Sequence, residues 1–171
     1  LATSTVSMPI AGALFWSVAA VAGQFLSPPA LAYFVLFGSG MVFPLGYLID
    51  RLRGRNFMAA GRANPLTIMF MRSITMVALL FPLVIIAAGI AEDAILIVLG
   101  AAILSGIVWI PYGWAAADPV GLRHAVGRCL FCYIAYVAAP EPLKASAICV
   151  VVVLGYLYSL VFMRKPGPVV P

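Results

Sequence analysis

The sequence predicts an all-α polytopic membrane bundle of six transmembrane helices with both termini cytoplasmic. Three observations carry this. Of 171 residues, 65% are hydrophobic and 9% charged, too few charges for the surface of a water-soluble domain of this length. Lipid can act as the outer solvent, so the apolar excess becomes outer surface as well as core. The apolar residues also gather in six long runs with short connectors between them. Finally, nine of the ten Lys and Arg residues fall at or near one face, whereas Lys144 shares the other with Glu92, Asp93 and Glu141. Loops rich in Lys and Arg stay in the cytoplasm, which sets the orientation.

A helix needs about 20 apolar residues to cross about 30 Å of hydrocarbon. The first span is expected at about 9–26 and is stopped by Ser27-Pro28-Pro29, since proline cannot continue a helix that has ended. The second, about 30–49, ends at Asp50-Arg51 and leads into a connector with Arg51, Arg53, Arg55 and Arg62. Asn64-Pro65 reads as an N-cap followed by proline at the first helical position. The third span, about 66–90, closes at Glu92-Asp93, and the fourth covers about 94–114. A connector over about 115–128, with Asp118, Arg123 and Arg128, overlaps the start of the fifth, about 125–139; Pro140-Glu141-Pro142 then separates it from the sixth, about 145–163. The chain reads as a single transmembrane domain over 1–171. A cleaved signal peptide is the alternative for the first run, because Ala20-Val21-Ala22 resembles a cleavage site; Leu1 to Ser7 lacks the basic residue such a peptide carries.

Small residues form close-approach faces, Ala101, Ala102, Ser105 and Gly106 on the fourth span and Ala19 with Gly23 on the first. Trp109, Tyr112, Trp114, Tyr156 and Tyr158 are candidate interface anchors. Three plus three spans also allow an inverted repeat, although no sequence match joins the halves. The net charge of +5 does not point to nucleic acid, because the arginines sit beside apolar segments where cytoplasmic retention explains them.

Arg72 is the charged residue expected well inside a helix, about 10 Å from its start. Charge within a membrane is a functional hypothesis by default, weighed against snorkelling to the inner interface. Gly38, Ser39, Gly40, Pro44 and Gly46 mark an irregular stretch in span two, and Pro82 and Pro111 mark two further kinks. Irregular backbone is tolerated in lipid where it lines a cavity. Gln24, Ser39, Thr75 and Ser105 are the candidate linings, and Ser39, Arg72, Thr75 and Ser105 the candidate solute-binding residues. The bland reading of the same residues is helix bending for packing. Met69, Arg72 and Met76 share one helix face, where packing outweighs a copper site.

No catalytic residue, metal site or cofactor is expected. Cys129-Leu130-Phe131-Cys132 is a CxxC on a helix, but at the cytoplasmic end, where thiols stay reduced. Cys149, near the outward end of span six, is expected more than about 10 Å away in depth. His124 is the sole histidine, which excludes two-histidine haem ligation within the chain. It is expected at the inner boundary, against a head-group or a carbonyl. Gly38-Ser39-Gly40 resembles part of an intramembrane serine protease signature, yet Ser39 and His124 are expected too far apart for proton transfer.

The order and spacing of Gly38-Ser39-Gly40, Phe43-Pro44-Leu45-Gly46, Asn64-Pro65-Leu66 and Trp109-Ile110-Pro111-Tyr112-Gly113-Trp114 resembles a small bacterial multispan membrane family, a domain of unknown function. The resemblance covers about the middle two-thirds of the chain. It implies a multi-pass protein of the bacterial inner membrane and carries over no activity. The leading functional expectation is a small permease or channel-like protein for a neutral or weakly charged solute. A structural or accessory subunit of a larger membrane complex is the alternative, and a membrane enzyme using the CxxC is third. The expected partners are membrane lipid and either a membrane protein or further copies of the chain, with no nucleic acid.

Overall fold

The computed structural model describes residues 6–54, 56 and 65–164. The loop arginines Arg55 and Arg62, the Asn64 cap and the tail from Lys165 lie outside the described residues. Eight α-helices and one 3-10 turn account for nearly all of the rest: α1 Ser7–Ala22, α2 Pro28–Gly38, the 3-10 turn Ser39–Met41, α3 Val42–Leu52, α4 Pro65–Ala91, α5 Ile95–Ile107, α6 Trp109–Ala116, α7 Val120–Ala138 and α8 Glu141–Phe162. No strand occurs among the described residues.

Two pairs of these helices run on without a turn, so the described chain forms six helical rods. Proline chemistry explains both joints. Pro44 has no N–H to give the Gly40 carbonyl, and the backbone tightens into the 3-10 turn just there. Pro111 likewise cannot serve the Ile107 carbonyl, and α5 ends at Ile107. Pro82, by contrast, is carried inside an uninterrupted α4. Pro28 and Pro142 open α2 and α8, because the first helical turn needs no N–H from them.

Four stretches are long and apolar enough to cross a membrane: Pro28–Leu52, Met71–Ala91, Ile95–Trp114 and Glu141–Phe162. Of the other two rods, α1 is 16 residues long and α7 carries Arg123, His124 and Arg128. α7 begins at Val120, five residues before the expected start of its span, because a buried helical turn precedes the apolar run.

Two turns share one construction. Glu92 and Ala117 take left-handed backbone angles, φ 54° and φ 52°, which end the helix before them. An aspartate follows each. The Asp93 Oδ1 accepts the Ile95 N–H at 2.8 Å, and the Asp118 Oδ1 accepts the Val120 N–H at 3.0 Å, so each caps the next helix. The second oxygen of each reaches another rod: Tyr136 Oη donates to Asp93 at 2.6 Å, and the Arg164 N–H donates to Asp118 at 2.8 Å.

The core lies where α1, α5, α7 and α8 meet, around Trp16, Val98, Ile148 and Val152, with Leu31 and Val35 of α2 closing one side. Along the antiparallel α1 and α8, a Cβ on Gly12 would sit 2.3 Å from the Tyr156 ring and one on Gly23 would sit 2.5 Å from Ser146 Oγ. Ser7 donates to Asp50 at 2.9 Å, joining the start of α1 to the end of α3. Gln24 donates to Ser146 at 2.6 Å at the opposite end. Large apolar side chains such as Phe25, Phe37, Ile90 and Val137 face outward, as a lipid-facing surface requires.

A buried arginine in the bundle centre

On α7 the buried residues Val120, Gly121, His124, Ala125, Arg128 and Cys132 recur at helical spacing, so they form one inward face. Two of them are polar, and both are 2% exposed: His124 and Arg128. Arg128 Nη2 donates to Ser105 Oγ on α5 at 2.6 Å. Ser105 directs its own proton to the Ala101 carbonyl, also at 2.6 Å, leaving the oxygen's lone pairs for the guanidinium. Arg128 Nη1 stands 3.4 Å from His124 Nε2. Arginine can only donate, so that nitrogen accepts. The imidazole proton is then on Nδ1 and points to Ser159 Oγ on α8, 2.7 Å away.

Aromatic rings complete the surroundings. The guanidinium carbon lies 5.5 Å from the Trp16 ring centroid and 5.1 Å from that of Tyr156, within cation–π range. Trp109 stacks on His124 at 4.4 Å, and Tyr156 meets the same imidazole edge-on at 5.4 Å. Glycines give these groups their seats. A Cβ on Gly106 would come within 3.0 Å of Arg128 Cδ, and one on Gly155 within 3.3 Å of His124. Gly12 makes room for Tyr156 in the same way.

Two things are missing from an ordinary buried cation. Arg128 Nε is buried and has no hydrogen-bond partner among the described residues. Among the described residues the ion pair is Lys144 with Glu141 at the far end of α8, and no carboxylate reaches Arg128. A buried charge is costly unless paired; here one is held by neutral groups alone.

The candidate residues named from sequence fare differently. Ser105 enters this cluster. Ser39 lies in the 3-10 turn and donates to the Leu36 carbonyl at 3.1 Å. Thr75 is exposed on α4 and donates to the Met71 carbonyl at 3.0 Å. Arg72 is exposed near the start of α4. No hydrogen bond joins Ser39, Arg72 or Thr75 to Ser105 among the described residues. Gln24 is engaged with Ser146 at one end of the bundle. Arg128, which the sequence places in a connector, is therefore buried, as are Asp50 and Asp118, and His124 is buried beside it within the bundle. Cys132 and Cys149 are both buried in the core that the packed α7 and α8 share. With α7 starting at Val120, Cys132 falls in mid-helix. No group of three or more His, Cys, Asp or Glu side chains arranged to hold a metal occurs among the described residues.

A family model described as Family of unknown function (DUF7010) matches residues 2–164. The chain belongs to that family. The match extends well beyond the middle two-thirds expected from the motifs, and takes in every residue of the buried cluster in this DUF7010 member, from Trp16 to Ser159. Comparison with curated proteins and with solved structures gives no match.

Proposed function

We propose that this DUF7010 member is a six-span protein of the cell inner membrane that passes a small, neutral or weakly charged solute through the bundle centre. The observation that carries this reading is Arg128, 2% exposed and without a carboxylate partner among the described residues. Charged groups inside membrane bundles usually mark solute or ion pathways, because their cost is otherwise unrewarded. The distribution of charge supports both ends being cytoplasmic. Arg51, Arg53, Arg123 and Arg164 gather at the Ser7–Asp50 end, whereas Glu92, Asp93, Glu141 and Lys144 occupy the other. Membrane lipid is the partner that the outward apolar side chains require. Purified protein reconstituted in liposomes tests the reading: solute flux above that of empty vesicles, lost in Arg128→Met, is the expected result. Flux indistinguishable from empty vesicles across neutral and anionic solutes refutes it.

The accessory-subunit reading draws on α4, whose Met71–Ala91 span is only 6% buried. Such a helix presents almost its whole length to lipid or to a neighbouring protein. Purification in a mild detergent separates the two readings, since a stoichiometric foreign partner favours the second.

A further inference from the structure

A guanidinium carries five N–H donors and keeps its charge at all physiological pH values. At Arg128, one donor reaches the Ser105 hydroxyl and one faces the His124 nitrogen at the long distance of 3.4 Å. The Nε–H has no acceptor among the described residues although it is buried. The ring faces of Trp16 and Tyr156 offset part of the desolvation, but they leave the net charge in place. The imidazole of His124 carries its single proton on Nδ1, toward Ser159, and so supplies no compensating charge.

We propose that Arg128 is the binding site of a small monoanion, a halide or a compact oxyanion such as nitrate or formate, taken up by the N–H groups that Ser105 and His124 leave unused. This deepens the solute-handling reading above and rests on it for its physiological meaning. Charge balance sets the valence, because one cation among neutral groups is neutralised by one negative charge. Close packing around the guanidinium limits what can reach it to a small ion. Arg128 is 2% exposed and is surrounded by Trp16 of α1, Ser105 and Gly106 of α5, His124 of α7 and Tyr156 of α8. A lipid phosphate brings its acyl chains with it and belongs at the bundle's outer surface. A free ion of a few atoms does not have this constraint. A guanidinium fork also suits a planar oxyanion, through paired N–H donors.

The site contains its own reporters. Trp16 and Trp109 line it, whereas Trp114 is 78% exposed and is removed by Trp114→Phe. The full chain carrying that change, in neutral detergent at constant ionic strength, is titrated with iodide while tryptophan emission is followed. Saturable quenching that chloride, nitrate or formate reverses is the expected result. Arg128→Met should weaken the apparent affinity about tenfold or more. Arg128→Lys keeps the charge without the fork, and should retain weaker saturable quenching if the methionine variant does not fold. Quenching that rises linearly without saturation, or saturable quenching untouched by either substitution, overturns the proposal. So does displacement by phosphatidylglycerol but not by soluble anions. Saturable anion binding with no vesicle flux upholds the site and refutes transport; flux indifferent to anions and to Arg128→Met refutes the site and leaves transport standing.

Discussion

Arg128 and Ser105 meet at 2.6 Å across two helices, and that hydroxyl is the one short hydrogen-bond acceptor the guanidinium has among the described residues. Ser105 is well placed for it, since its own proton is committed to Ala101 one turn back. A serine that bonds its own helix usually only offsets its own polarity. This one turns an oriented lone pair toward a buried charge, so α5 is tied to α7 without an acid.

Arg128→Met follows from this directly. Methionine replaces the stem and removes a charge that nothing neutralises. Exchanging a buried ion pair for apolar groups of similar volume is commonly neutral or stabilising by about 1–4 kcal/mol, and a buried charge without a counter-charge has less still to offset its desolvation. The thermal midpoint in detergent should hold or rise, while solute handling is lost. A clear fall in the midpoint would instead show that the bond to Ser105 outweighs the cost of burying the charge.

Gly12 sets how closely α1 approaches α8. The Tyr156 ring lies where a Cβ would be, and it is also fixed by Trp109, His124 and Arg128, so it cannot swing aside freely. Gly12→Ala should cost about 1–3 kcal/mol, the usual range for overpacking. Unfolding measurements should show that cost largely recovered when Tyr156→Leu is added, since the shorter side chain frees the seat. Equal loss in the single and double variants would show that the ring is not what Gly12 accommodates.

Asp118 does two jobs, capping α7 at Val120 and holding the end of α8 through the Arg164 N–H. Asp118→Ala removes both and should destabilise by about 1–3 kcal/mol. Asp118→Asn keeps one acceptor oxygen and should lose about half as much. Unfolding in detergent, with the two substitutions compared, checks the ordering.

Much of the fold was legible because lipid makes apolar length and charge placement informative. The prolines foretold the breaks at Ser39–Met41 and at Ile107, and Glu92-Asp93 foretold a turn. The centre was harder to read. Arg128 was assigned to a connector that overlapped the start of the fifth span at 125–139, although a run of that length is short for a bilayer and five further residues restore it. His124 and Arg128 stand four apart with Gly121, Ala125 and Cys132, which was the available signal for one buried face. Ser39 and Thr75 attracted attention as polar groups in apolar runs, but hydroxyls can satisfy themselves on their own helix carbonyls, and sequence does not distinguish those from Ser105. The Gly12–Tyr156 seat joins residues at opposite ends of the chain, beyond the reach of any local pattern.

A solute path through the bundle requires the rods to cross a bilayer with alternating direction. The decisive measurement is two-sided labelling in a chain whose Cys129, Cys132 and Cys149 are replaced by alanine. Cysteines introduced by Arg53→Cys and Glu141→Cys, both at exposed positions, are treated with a membrane-impermeant maleimide on intact cells and again after permeabilisation. Glu141→Cys should react from outside, and Arg53→Cys only once the membrane is opened. Reaction of both from the same side would contradict the topology, and with it the placement of Arg128 within the membrane.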